Sequence, residues 1–221
     1  MGRHFREELE QLNSDILRMD ALVEESVAKA IAALRDRDPK AAQEVIDNDA
    51  RVDELELVID ERCLDLIARY QPMASDLRFI TTGMRLNGEL ERIADIAVDI
   101  AERVIFMAGE PLLKPLVDIP RLTAVAQKMV KMAIDAFIAR DSEIAKQVLF
   151  LDPEADTLRD AIHKELVEEY MVKDPATTPR AVQLLLIARF LERVCDHATY
   201  IAEDVIYMVK AEVVKHHPER L

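Results

Sequence analysis

The sequence predicts an all-α fold made of two tandem three-helix bundles. Three observations carry this. Apolar residues recur at spacings of three and four along most of the chain. Only 4 glycines occur in 221 residues, and Ala, Leu, Glu and Arg are abundant, which favours long helices joined by few tight turns. The motifs of the first half also return in the second at a nearly constant offset.

In the first helix, Phe5, Leu9, Leu12, Ile16, Met19, Val23, Ala30 and Leu34 form one apolar stripe. Asp38-Pro39, a cap followed by a first-turn proline, starts the second helix. Val45, Val52, Leu55, Ile59, Leu66 and Tyr70 carry it to a break at Gln71-Pro72. The third runs from about 74 to 107 on Leu77, Ile80, Met84, Leu90, Ala94, Ala97, Ala101 and Val104. Residues 110–120 hold Pro111, Pro115 and Pro120 and read as a linker between a first repeat over 1–109 and a second over 121–221. Three further helices are expected at about 121–140, 141–171 and 179–215. Inside the fifth, Asp152-Pro153 should kink the helix or restart it with Asp152 as cap, and 173–179 reads as a turn.

Glu91-Arg92-Ile93-Ala94-Asp95 reappears 101 positions later as Glu192-Arg193-Val194-Cys195-Asp196. Asp38, Asp49 and Asp53 are matched by Asp141, Asp152 and Asp156 at an offset of 103. Each half is therefore read as one three-helix bundle.

Hydrophobic residues make up 50% of the chain and charged residues 33%, a globular balance. The net charge of −14, with no basic face, argues against nucleic-acid binding and against docking on anionic lipid. It favours cations or basic patches on partner proteins. Cys63 and Cys195 are far apart and form no CxxC, so a disulfide or thiolate zinc site is not expected and a reducing cytoplasm fits. The N-terminal stretch lacks an apolar signal core, and the apolar run 181–188 is far short of the ~18 residues of a membrane span.

The candidate chemistry lies in acidic stripes. Residues at i, i+4, i+7 and i+11 share one side of a helix, and Asp49, Asp53, Glu56 and Asp60 have that spacing. Glu91, Asp95, Asp99 and Glu102 form a second stripe, Asp152, Asp156, Asp160 and His163 a third, and Glu192, Asp196 and Glu203 a fourth. On the third and sixth helices the acidic stripe flanks the apolar one, so its carboxylates can meet those of a neighbouring helix. Like charges at i, i+4 destabilise a helix by roughly 0.2–0.5 kcal/mol per pair, and several facing pairs need a cation. A hard divalent metal with oxygen ligands, Mg, Mn, Fe or Zn, is one candidate. Arginine is the other, and Arg92 and Arg193 sit inside the repeated motifs. An acidic stripe alone is usually a solvated face; the duplication in register raises its standing here. His163 and His197 lie beside the second-half stripes, while His4, His216 and His217 are terminal. A lone helical histidine is more often structural than a ligand. No ExxH occurs, which counts against a ferritin-like di-iron oxidase. Gly-rich phosphate loops and GxSxG are absent.

Leu90-Glu91-Arg92-Ile93-Ala94-Asp95-Ile96-Ala97, its copy Leu191-Glu192-Arg193-Val194-Cys195-Asp196-His197-Ala198, and Gln71-Pro72-Met73-Ala74-Ser75-Asp76-Leu77-Arg78 together resemble the PhoU family. The resemblance runs from about Phe5 to Met208. It implies two three-helix bundles in a cytoplasmic, non-enzymatic regulator of phosphate uptake. Such a regulator works with the ATPase of the phosphate ABC transporter and a membrane sensor histidine kinase, reaching the membrane only through them, and represses phosphate-starvation genes when phosphate is plentiful. It also implies divalent metal at (Glu/Asp)xxxAsp motifs in some members, and a homodimer. The motif positions map onto Asp49, Asp53, Glu91 and Asp95 in one half and Asp152, Asp156, Glu192 and Asp196 in the other; Asp99 extends the first stripe. The chain departs from the family pattern at Ala94 and Cys195, where a glycine is usual, at Pro153, and at Tyr200, often Asn. Cys195 and Pro153 leave the second site's metal in question. Two other readings use the same residues: a carboxylate-bridged di-metal enzyme, and a metal-free helical scaffold neutralised by arginine.

Overall fold

The structure, a computed structural model, describes residues 3–215, and His216 and His217 lie outside the described residues. The chain is helical and, among the described residues, contains no strand. The first half holds α1 (Arg3–Asp36), α2 (Pro39–Asn48), α3 (Ala50–Tyr70) and α4 (Ala74–Met107). The second holds α5 (Asp118–Ala139), α6 (Ser142–Glu165) and α7 (Thr178–Lys210). A π-helical segment, Leu166–Met171, extends α6, and a 3-10 turn, Pro175–Thr177, leads into α7. The expected last helix is therefore shorter than 179–215, ending at Lys210 where Ala211 turns left-handed at φ 58°.

Every residue of the first predicted stripe is buried, from Phe5 to Leu34. In the third, Leu77 is exposed and Met84 half-buried, while Ile80, Leu90, Ala94, Ala97, Ala101 and Val104 are buried.

The repeat extends to backbone detail. Arg37 and Arg140, 103 residues apart, are both left-handed, with φ of 57° and 52°. Each is followed by an aspartate whose side chain caps a helix. Asp38 Oδ1 accepts from Lys40 N and Ala41 N, and Asp141 Oδ1 from Glu143 N and Ile144 N. The turn is closed in both cases by the same backbone bond, Asp38 N to the Ala33 carbonyl and Asp141 N to the Ala136 carbonyl.

The irregularities fall elsewhere than expected. The single predicted second helix is interrupted at Asp49, whose N–H bonds the Ile46 carbonyl rather than that of Val45, and beside it Asn48 Nδ2 donates back to the Glu44 carbonyl at 2.6 Å. By contrast, α6 continues through Pro153 without restarting. The missing N–H there leaves the helix one bond short at the Leu149 carbonyl, while Thr157 Oγ1 donates to the Pro153 carbonyl at 2.8 Å.

The halves share more than a linker. α4 packs along α7, α1 against α5, and one apolar core continues across both halves. Arg78 Nε donates to the Met208 carbonyl, and Arg85 meets Asp204 at 2.9 Å, so α4 and α7 run antiparallel. Phe79 of α4 stacks on Phe137 of α5, centroids 4.8 Å apart, with the Arg140 guanidinium 4.1 Å above the Phe79 ring. The proline-rich stretch is pinned from both sides: Arg37 donates to the Glu110 carbonyl, Arg180 to the Pro111 carbonyl, and Lys114 pairs with Glu165.

Candidate functional site

α3 lies along α4, and their flanks bring the first-half carboxylates together. Asp49 stands at the α2–α3 break, Asp53 and Glu56 follow on α3, and Glu91 and Asp95 come from α4. Their charges act on one another. Burial, then the charges of Asp53 and Asp95, push the Asp49 carboxyl up to about 6. Burial, then Asp95, Glu56 and Asp53, with Arg92 opposing, push Glu91 up to about 7. Glu56 is raised by burial and then by Asp60, Asp53 and Asp95. Among the described residues, none of Asp49, Asp53, Glu56, Glu91 and Asp95 forms an ion pair. Asn87, wholly buried, clamps the two helices beside this cluster: its Nδ2 donates to the Glu56 carbonyl at 2.9 Å and to Asp60 Oδ1 at 3.0 Å. Its own Oδ1 is buried without a partner.

Asp99 lies one turn beyond Asp95. It is raised by burial, but Arg193 of the second half and Arg103 pull it back, so it sits at the cluster's edge.

In the second half Asp152 and Asp156 on α6 face Glu192 and Asp196 on α7. Burial raises Asp152, followed by the charges of Asp156 and Glu192. Burial also raises Asp196, followed by Glu192 and Asp152, with His197 opposing. A base enters here that the stripes did not reveal. Arg159 Nη2 lies 3.0 Å from Asp156 Oδ1 and 3.9 Å from Glu192 Oε1, and its Nε lies 3.3 Å from Asp160 Oδ1. Neither arginine proposed from sequence takes this role: Arg92 pairs with Glu89 at 3.4 Å, and Arg193 lies near Asp99. Arg159 was legible only by aligning the repeats, since 103 positions earlier stands Glu56.

The other second-half candidates differ in placement. Cys195 is buried, and desolvation plus four neighbouring carboxylates drive its thiol well above the usual range, holding it as a thiol rather than a thiolate ligand. His197 is buried and spans the seam between the halves, its Nδ1 2.5 Å from Glu89 Oε2. His163 is exposed. Tyr200, at the position equivalent to Asp99, meets the His197 ring edge-on at 5.8 Å.

The first cluster fits a hard cation by its chemistry: an all-oxygen donor set with no ion-paired base, in which burial and neighbouring carboxylates raise Asp49, Glu56 and Glu91, while Asp53 and Asp95 stand exposed. Among the described residues, no three His, Cys, Asp or Glu side chains are drawn to a common point that could hold a metal ion, so ligation there would require the carboxylates to close in. The second cluster, with Arg159 against two of its acids, fits a metal poorly.

A family model described as the PhoU domain matches residues 16–104 and again 119–205. The chain is 40% identical over 209 residues to a phosphate-specific transport system accessory protein PhoU homolog of Aquifex aeolicus, covering 95% of this chain and 94% of that one. The crystal structure of PhoU from Pseudomonas aeruginosa is similar at a TM-score of 0.88 and 38% identity, over 94% of this chain and all of that one. The phosphate transport system regulatory protein PhoU from Streptococcus pneumoniae matches at a TM-score of 0.87 and 28% identity, over 95% of this chain and 99% of that one.

Proposed function

The chain belongs to the PhoU family, and from that membership we propose that it is an accessory regulator of phosphate-specific transport acting by docking rather than catalysis. In this reading it is a cytoplasmic homodimer. It links the ATPase of the phosphate ABC transporter to a sensor histidine kinase and restrains phosphate-starvation genes when phosphate is plentiful. A divalent cation, Mg, Mn, Fe or Zn, held by Asp49, Asp53, Glu91 and Asp95 would neutralise the acidic face and set its shape for the partner. No helix among the described residues is long and apolar enough to cross a membrane, in keeping with an association made through partners. The observation that carries the metal-dependent version is the first carboxylate cluster, crowded by folding and lacking an ion-paired base.

The test is a pull-down from membranes of phosphate-replete cells, with and without chelator, beside Asp53→Asn with Asp95→Asn. The double variant is expected to lose bound metal, fail to retain the transporter ATPase and derepress phosphate-starvation genes while keeping its helical circular dichroism. Normal repression in that variant rejects the metal-dependent version. A metal-free scaffold is the second reading, favoured by Arg159 and by the open spacing of the carboxylates. Elemental analysis of protein purified without chelator separates the two.

A further inference from the structure

The two clusters occupy the same place in their repeats but differ in charge. Asp49 and Asp53 correspond to Asp152 and Asp156, and Glu91 and Asp95 to Glu192 and Asp196. Three residues after Asp53 the first repeat has a fifth carboxylate, Glu56; three residues after Asp156 the second has Arg159. The exchange reverses the charge at one position on the inner flank of the helix. It leaves five carboxylates with no ion-paired base in one half and four with a guanidinium among them in the other. We infer that Arg159 is a resident counter-ion which replaces metal in the second repeat, so that the protein takes its divalent cation in the first repeat only. The inference rests on the metal-dependent reading above.

Arg159 stands beside the half-exposed Asp156 and the exposed Asp160 of its own helix and reaches across to α7. The Arg159 side chain is only 31% exposed and reaches carboxylates of two helices, Asp156 and Asp160 on α6 and Glu192 on α7. A guanidinium remains protonated at any physiological pH, so it cannot yield the site by losing its proton. A divalent ion would have to displace it or share the same acids at like-charge distance. In the first repeat the equivalent carboxylate adds an oxygen donor. Asn87, whose Nδ2 bonds Glu56 and Asp60, has a buried Oδ1 without a partner, whereas the equivalent of Asn87 in α7 is Ala188. The two halves therefore differ on both facing helices, α3 against α6 and α4 against α7, and in the same sense.

The experiment uses the full chain, stripped by chelator and titrated with Mn²⁺, with bound metal read by elemental analysis and by the Mn²⁺ electron paramagnetic resonance signal. In the otherwise unchanged protein, Asp95→Asn is expected to weaken Mn²⁺ binding by about tenfold or more, and Asp196→Asn to leave it unchanged. Arg159→Glu, which copies Glu56 into the second repeat, is expected to gain a second set of bound Mn²⁺ that Asp196→Asn then removes. Arg159→Gln, which removes only the charge, guards against misfolding of the charge-reversed variant and is expected to gain weaker Mn²⁺ binding at the same place. Loss of Mn²⁺ from the unaltered protein on Asp196→Asn, equal to that on Asp95→Asn, would overturn the inference and leave the metal-dependent reading intact. So would a cooperatively folded Arg159→Glu and Arg159→Gln that gain nothing beside a working first site. Unaltered protein that takes no Mn²⁺ while Arg159→Glu does would uphold the counter-ion and overturn metal at the first repeat. Absence of Mn²⁺ from both overturns both.

Discussion

Asp20 is a carboxylate that belongs to neither cluster and is buried between α1 and α5, with no hydrogen-bond partner for its Oδ1. Burial, then Glu24, push its pKa up to about 7; Lys131 opposes and Asp135 adds to the rise. The folded protein thus holds a proton there that the unfolded chain releases near the ordinary 3.8. Between those values folding binds the extra proton, so stability falls as pH rises from about 4 to 7 and is lowest above it. Asp20→Asn removes the charge while keeping the shape. It is expected to raise the melting temperature by at least about 3 °C at pH 8 and by distinctly less at pH 5. Equal shifts at both pH values would show that ionisation of Asp20 is not the cost. Asp20 also shows what a periodic reading cannot supply. The stripe on either side of it marks a face as apolar, yet whether a polar residue on that face meets solvent or another helix depends on a partner more than 100 residues away.

At the scale of the element, helix starts, apolar faces and the repeat were legible because caps and 3.6-residue periodicity are local properties of the chain. The interruption at Asp49, where the Asp49 N–H bonds the Ile46 carbonyl, was not, because no proline or glycine marks it. The π-helical end of α6 left no signal in the pattern either. Pro153 was legible as a kink or a restart, and of the two the restart does not occur. Since α6 passes through it with one bond missing, Pro153→Ala should restore a donor to the Leu149 carbonyl. Unfolding in urea is expected to require about 2 kcal/mol more free energy: roughly 3 from the recovered bond and relieved clash, less roughly 1 for the freer unfolded chain. A loss of stability would mean that the local geometry depends on the ring. The caps give an opposite expectation that checks the same helix. Asp141→Ala leaves the Glu143 and Ile144 amides without their acceptor and should lower stability by about 1 kcal/mol, as Asp38→Ala should for α2.

On the scale of the whole molecule, the duplicated motifs told of two bundles but not how closely they join. Periodicity marks α4 and α7 as apolar on a broad face without stating that part of each face is covered by the other repeat. The Phe79–Phe137 stack, the Arg140 guanidinium above it and the antiparallel α4–α7 seam tie the folding of one half to the other. The part-buried Glu89–His197 pair adds a polar contact across the seam. From this follows a prediction about cooperativity. Phe79 has no exposed surface and its ring lies against a residue of the other repeat, so Phe79→Ala should cost about 3–5 kcal/mol. If the halves unfold as one unit, calorimetry gives a single endotherm before and after the substitution, shifted down as a whole. Hydrogen exchange then accelerates at core amides of α5 and α6 as well as of α1 and α3. If the bundles are independent, the endotherm splits and only the first-half amides lose protection. The extent of packing along α4 and α7 favours the first outcome, because an isolated half would expose on one long helix the apolar surface that the other half now covers.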